Sequence, residues 1–368
     1  MELWFRLPRP GVEPVLDRTC PSCGHLKMHV HQHQRERRIV DYRLDTIHQV
    51  RVKCPRCGKT ATCRPEGAQP NLHRTPAVVA YGVVLYVLGL SYRNAAGAVK
   101  LLVGQGSKSA VERDVRAAGQ QAQRMHTARA GRPVRILGMD GTGQRIKRRG
   151  TTRHVGVGFA VDAERQVLLG VELMEEEQPN QVRRFVRRLC RRYDVEVILT
   201  DEHRSYPRAM RSRSITAQHR LCQTHWKKSK QLRVRSLRTQ AQERGHRRMV
   251  RDLDRLKRLI RDGPPDALQQ LLRIHRRYLD APPPRPGQPW SLRTHLRMLT
   301  HHLIETWERV GTDTQPTNNT AERLIGLLLK ERSKTMRGFA KTDSIPRFVH
   351  LAAYLREQPR GAVLDLTR

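Results

Sequence analysis

The sequence predicts an α/β chain in three parts: a cysteine-bearing β ribbon over residues 1–70, a helical segment over 71–130, and a β-β-β-α-β domain over 131–368 with a large helical insertion at about 226–312. Three observations carry this. Two Cys-x-x-Cys knuckles flank a polar, alternating stretch near the N-terminus. From about His73 the apolar residues change to helical spacing. Beyond residue 133, short apolar runs bounded by Gly, Asp and charged turns read as strands, with one helix between the third and the fourth.

The knuckles are Cys20-Pro-Ser-Cys23-Gly and Cys54-Pro-Arg-Cys57-Gly. Four thiolates at this spacing fit one tetrahedral structural Zn²⁺ on a ribbon of hairpins. His29, His31 and His33 alternate along a strand and read as a solvated face, and Cys63 reads as a packed spare. In an intracellular chain the seven cysteines are metal ligands or free thiols rather than disulfides.

In the helical segment, Ala77 to Leu88 is strongly apolar, Leu90 to Val99 forms a second helix, and a third opens at Ser107 after Gly104-Gln-Gly106. Helices joined by so short a turn suit a helix-turn-helix whose last helix enters a major groove, with Lys108 and Arg113 at base edges. A plain helical linker is the other reading.

Val134 to Met139, Arg153 to Val161 and Gln166 to Leu173 read as a three-stranded meander. A helix from about Asn180 to Tyr193 and a strand over Val195 to Thr200 follow. This is the order of a ribonuclease H-like domain, in which the fourth strand returns beside the first. Asp140 and Asp201 then fall at neighbouring strand ends, and Glu322 sits early in a helix after Gln315-Pro-Thr-Asn-Asn. Carboxylates presented together hold magnesium, a hard cation that takes oxygen ligands, and a pair of such ions clamps both oxygens of a phosphoryl displacement. Singly, each acid has a local explanation: a turn, a cap, or a capping box over Asn319-Thr-Ala-Glu322. Glu202 is turned away by strand alternation. Glu175-Glu-Glu177 reads as a loop without a metal role.

The charge names the partner. With 71 Lys+Arg against 34 Asp+Glu, a formal +37, the chain is built for a polyanion. Residues 203–262 hold 19 Lys+Arg against 4 Asp+Glu, and Lys227, Lys228, Lys230, Arg233 and Arg235 are expected to grip DNA phosphate. A polyproline-like linker, Ala281 to Pro289, precedes a helix from Leu292 to Val310. No run approaches the ~18 apolar residues of a membrane span, and Met1 to Arg6 lacks the layout of a secretion signal. The expected location is the bacterial cytoplasm, at the nucleoid, with no membrane partner.

The string Pro-Thr-Asn-Asn-Thr-Ala-Glu-Arg, followed by Lys-Glu-Arg-Ser-Lys-Thr-Met-Arg-Gly-Phe, resembles the C-terminal catalytic signature of bacterial insertion-sequence transposases of the DDE superfamily. Met-Asp-Gly-Thr and Leu-Thr-Asp-Glu resemble their first and second acidic motifs, and Leu221-Cys222-Gln-Thr-His225-Trp226 their Cys-x-x-His element. The resemblance implies that Asp140, Asp201 and Glu322 form the metal-binding triad, with two Mg²⁺ for which Mn²⁺ substitutes. It implies cleavage at element ends, transfer of the 3′-hydroxyl to target DNA, and a homo-oligomer on DNA. Many relatives carry a basic residue seven positions after the glutamate; here that position is Leu329, with Lys330 next. Cys222 and His225 are expected to pack beside the acids, and Asn319, Arg323 and Lys330 to support them. A metal-dependent nuclease or resolvase, or a non-catalytic DNA-binding regulator, would share many of these features.

Overall fold

The computed structural model describes residues 12–16, 18–65, 68, 73–128, 132–148, 151–283, 287, 289–310, 318–336, 339–357 and 366. The expectations on Met1 to Arg6, on Gln315-Pro-Thr, on Arg337-Gly338 and on much of the polyproline-like linker lie outside the described residues. The chain is mixed α/β and divides into two compact units. One comprises Met1–Ala130, Gln144–Val155 and Gly326–Arg368, the other Gly131–Gly143 and Gly156–Ile325.

In the first unit, β1 (His29–Arg38), β2 (Thr46–Lys53) and β3 (Thr60–Cys63) form an antiparallel sheet in that order. Its apolar core is small: Cys20, Met28, Val50, Val52, Cys54 and Cys63. A ribbon with so little to bury has few ways to offset chain entropy besides a cross-link or a metal. Helix α1 (Pro76–Val87) is buried over most of its length, with Thr75 accepting from the Val78 N–H as its N-cap. Helix α2 (Tyr92–Val103) opens on Ser91, which accepts from the Asn94 N–H at 3.1 Å. After the turn at residues 104–107 comes α3 (Lys108–Ala128). Ala110, Val111, Val115, Ala118 and Ala122 form its buried stripe at three- and four-residue spacing, while Lys108 and Arg113 are exposed. A π-helical turn (Gly326–Lys330) leads into α11 (Glu331–Met336), and α12 (Ser344–Glu357) packs along α3. The sequence reading did not anticipate α12.

In the second unit the sheet runs β6-β5-β4-β7-β8. Strands β4 (Pro133–Arg148), β5 (Thr151–Asp162) and β6 (Val167–Leu173) make the meander, and α4 (Pro179–Arg192) crosses to β7 (Asp194–Thr200). Val182, Phe185, Val186 and Leu189 recur at helical spacing and bury one face of α4 against the sheet. Strand β7 lies parallel to β4, with Val134 opposite Val195 and Gly138 opposite Leu199. That register brings Asp140, two residues past Gly138, and Asp201, two past Leu199, to the same end of the sheet.

After α5 (Ser205–Met210), a short strand β8 (Gln218–Leu221) adds to β7 in parallel. The sequence pattern gives no sign of this strand. Gln-His-Arg-Leu is an edge strand of four residues with one apolar side chain, so it carries neither alternation nor an apolar run. The insertion is helical as expected: α6 (Gln223–Glu243), α7 (Arg247–Asp262), α8 (Ala267–Arg276) and α9 (Leu292–Trp307). It has its own core, including Leu237, Leu253, Leu256, Leu271, Leu296 and Leu303. Each such buried leucine contributes about 1.5–3 kcal/mol. Helix α10 (Asn319–Ile325) carries Glu322 in its first turn.

Candidate metal centres

Four sulfurs meet in the ribbon. Cys20 and Cys57 lie 3.6 Å apart, Cys23 and Cys54 likewise, and all four sulfurs fall within 4.8 Å of one another. Each knuckle closes the same way, with the N–H of the following glycine donating to the first cysteine's carbonyl: Gly24 to Cys20 at 2.9 Å, Gly58 to Cys54 at 3.0 Å. Both glycines are left-handed, at φ of 70° and 72°. Backbone N–H groups of Ser22 and Cys23 directed at the Cys20 sulfur draw its thiol down to about 6. A soft sulfur donor set of this size is compatible with structural zinc. Cys63 is buried in the ribbon core, and the three histidines are exposed.

The second cluster is made of oxygen. One carboxylate oxygen each from Asp140, Glu176 and Asp201 lie within 4.8 Å of one another. Each carboxylate is aimed by a local donor: the Gly141 N–H to Asp140 Oδ1 at 2.8 Å, the His203 N–H to Asp201 Oδ1 at 3.0 Å, the Tyr206 hydroxyl to Glu176 Oε1 at 2.6 Å. Burial, opposed by the Gly141 N–H and reinforced by the charges of Asp201, Glu176 and Glu322, pushes the Asp140 carboxyl up to about 7. Burial and the Asp201 charge also raise Glu176, against the Tyr206 hydrogen bond. Like charges crowded this closely resist ionisation together, and a hard divalent cation is what relieves them.

Glu322 stands beside this cluster, engaged elsewhere. Its Oε1 lies 2.8 Å from His225 Nε2, yet its charge still bears on Asp140. A chain of bonds links β4, β7 and α10. Asn318, which precedes α10 and is 1% exposed, donates from Nδ2 to the Met139 carbonyl at 2.8 Å and from its backbone N–H to Cys222 Sγ at 3.3 Å. Cys222 Sγ lies 3.2 Å from His225 Nδ1, and the Cys222 N–H donates to the Thr200 carbonyl at 2.7 Å. His225 bridges Cys222 and Glu322 through its two ring nitrogens. Cys222 and His225 thus pack beside the acids, and their contacts position Glu322.

Three expectations are corrected. Glu175-Glu-Glu177 is not a bystander loop, because Glu176 enters the carboxylate cluster. The residue that ties α10 to the strands is Asn318, whereas Asn319 is exposed; the N–H groups of Ala321 and Glu322 bond back to the Asn318 carbonyl, so the cap falls one residue earlier than read. Lys230 leaves the phosphate-gripping set. It is 4% exposed, with Nζ 2.6 Å from Glu202, whose other partner is His302 Nε2 at 2.5 Å. Burial would raise Glu202, but His302 and Lys230 outweigh it and hold the carboxyl below its usual range. Glu202 is thus engaged by Lys230 and His302 rather than by the cluster, although it lies past the end of β7, where strand alternation no longer applies. Lys228, Arg233 and Arg235 are exposed on α6, and half-buried Lys227 reaches the Arg261 carbonyl. Arg323 and Lys330 are exposed. Sequence reasoning also missed a basic concavity of about 490 Å³ in the insertion, lined by Arg244, Arg247, Arg248, Arg277, Arg293 and Tyr278.

A chain this basic, with acids clustered where two parallel strands part, belongs among proteins that process nucleic acid. The sequence profile described as Transposase, Mutator family, matches residues 36–255, more than half the chain. The chain belongs to the Mutator family of transposases and is therefore a DNA transposase. The match spans Asp140, Glu176, Asp201, Cys222 and His225, and stops short of Glu322. No curated protein matches the chain. Among the described residues, no helix is long and apolar enough to cross a membrane.

Proposed function

We propose that this transposase cuts DNA at the ends of its element and joins the freed 3′-hydroxyl to target DNA, using divalent magnesium held by Asp140, Asp201 and Glu322. The observation that carries this reading is the convergence of Asp140 and Asp201 at one end of the sheet, with Glu322 linked to the same strands through His225, Cys222 and Asn318. The sheet order, with α4 between β6 and β7, supports a ribonuclease H-like unit. The donor set is all oxygen, as magnesium prefers. When bound, the metal supplies Lewis-acid polarisation of the phosphate and activation of the attacking oxygen. The protein's share is placement: Gly141 and His203 fix the two aspartates, and His225 holds Glu322 within reach.

DNA engagement is divided. Lys108 and Arg113 on α3 read base edges at element ends, as the last helix of a helix-turn-helix does. Lys228, Arg233 and Arg235, with the arginine-lined concavity, hold phosphate whatever the sequence. Joining two ends at one target calls for more than one active site, hence an oligomer on DNA. The ribbon's Cys20, Cys23, Cys54 and Cys57 hold one structural Zn²⁺.

The test uses full-length protein, duplexes carrying the element's ends, and Mg²⁺ or Mn²⁺. Nicking at the end, then joining of precut 3′-hydroxyl ends to a plasmid, is expected, with both lost in chelator. Cleavage without joining would recast the chain as a nuclease. Binding with neither would leave a regulator.

A further inference from the structure

We propose that Glu176 is a metal ligand of this centre, a third carboxylate that with Asp140 and Asp201 holds a divalent cation while Glu322 rests on His225. The inference builds on the metal-dependent reading above and names a residue outside the triad. It stands on three observations. Glu176, rather than Glu322, is the carboxylate whose oxygen lies within 4.8 Å of both aspartates. Its direction is fixed by a buried group: Tyr206, fully buried on α5, donates to Oε1 at 2.6 Å and leaves Oε2 facing β4. The chain makes room for it there, since a Cβ built on Gly141 would stand 2.6 Å from Glu176 Oε2 and 2.8 Å from its carboxyl carbon. Any side chain larger than glycine next to Asp140 would displace the glutamate.

This has a chemical consequence. The two aspartates alone would offer a magnesium ion few protein ligands; Glu176 would add a third, leaving further positions to water and phosphate oxygens. Glu322 is then available to serve a second ion or to close on the first when DNA arrives. The tyrosine fixes the glutamate as an outer hydrogen-bond partner fixes a metal ligand.

The experiment measures Mn²⁺ binding to the DNA-free, full-length protein by titration calorimetry and by the electron paramagnetic resonance signal of free Mn²⁺. The variants are Glu176→Gln, Tyr206→Phe, Glu322→Gln and, as an exposed neighbour of equal charge, Glu177→Gln. Glu176→Gln is expected to weaken Mn²⁺ by at least roughly tenfold, the cost that even an outer partner of a ligand carries. Tyr206→Phe is expected to weaken it less, Glu322→Gln less than Glu176→Gln, and Glu177→Gln not at all. Circular dichroism of each variant checks that the fold is kept. Wild-type affinity in Glu176→Gln, or an equal loss in Glu177→Gln, overturns the assignment while leaving the metal-dependent reading intact. Failure of the wild-type protein to bind Mn²⁺ overturns both.

Discussion

The four cysteines of the first unit and the three carboxylates of the second are both close-set donor groups, each within 4.8 Å, yet they are assembled by different means. The cysteines come in two local turns, each closed by its own glycine, and one antiparallel ribbon carries both. Their spacing in the chain is already most of their geometry. The carboxylates come from the middle of β4, just past its pairing with β7, from the end of β7 and from the loop before α4, and they meet only because β7 lies parallel to β4 in one register. The cysteine set therefore depends on short-range turns, and the carboxylate set on the packing of a whole sheet. Removing the metal should expose this difference.

The largest effect is expected in the ribbon. With a core of a few residues, its folding should rest on zinc, whose apparent contribution in small zinc domains is about 10–16 kcal/mol. Elemental analysis of the full chain should find about one zinc, as closure by four ligands implies. A strong chelator should abolish hydrogen-exchange protection in β1–β3 while leaving β4–β7 protected. A protected β2 in demonstrably zinc-free protein would break the comparison from the cysteine side.

Next in size are the acids. Asp140→Asn, Asp201→Asn and Glu322→Gln should each lower strand cleavage by at least about 10³-fold, since metal-assisted charge stabilisation amounts to several kcal/mol. The second unit should stay folded and DNA affinity near normal, because affinity rests on basic surfaces. Gel-based cleavage and fluorescence-anisotropy binding measure the two separately. A variant that unfolds would show the carboxylates to be structural, like the cysteines.

What was legible in the chain follows the same division. The knuckles, the meander, α4 and β7 could be read because apolar runs and local spacing encode them, whereas β4 runs on past Asp140 to Arg148 and so places that aspartate inside the strand rather than at its end. Strand β8 could not, because Gln218-His-Arg-Leu221 owes its place to the neighbouring β7 rather than to its own pattern. Glu176 was passed over because nothing in Glu-Glu-Glu says which side chain turns inward; Tyr206 and Gly141, distant in sequence, decide that. Lys230 was misjudged for the converse reason. In a run of cations, the one buried against Glu202 looks like the rest. The signal for Asn318 was present in the Asn-Asn pair, but the cap register needed the helix.

A smaller effect sharpens the comparison at His225. This ring holds Glu322 and contacts Cys222, so it acts on the reaction through the carboxylate it positions. His225→Ala should reduce cleavage by about 10–100-fold, the range for losing an outer partner of a metal ligand. His225→Gln, which keeps a donor, should recover part of it. Mn²⁺ affinity of the DNA-free protein should change little in either. A loss as deep as that of Glu322→Gln would mean that the ring touches the reacting groups.

The smallest effect is the pH dependence of the carboxylate cluster. The metal-free folded state holds the Asp140 carboxyl at about 7, above the ordinary carboxylate range it has in the unfolded chain. A raised folded value means that the folded state binds the proton more tightly than the unfolded state does. Its contribution to stability is thus complete below the unfolded value and is lost as pH rises through about 7. In chelator, the difference in melting temperature between wild type and Asp140→Asn should shift against the wild type as pH rises from 5 to 8, and Mg²⁺ should restore the wild type at the upper end. The same titration governs binding, because the metal takes the ionised form. Mg²⁺ affinity should fall about tenfold from pH 8 to pH 6, with proton release in the calorimeter that grows toward the lower pH. A Mg²⁺ affinity flat between pH 6 and 8 would mean that Asp140 is already ionised in the free protein, so that crowding by Asp201 and Glu176 is not what the cation relieves.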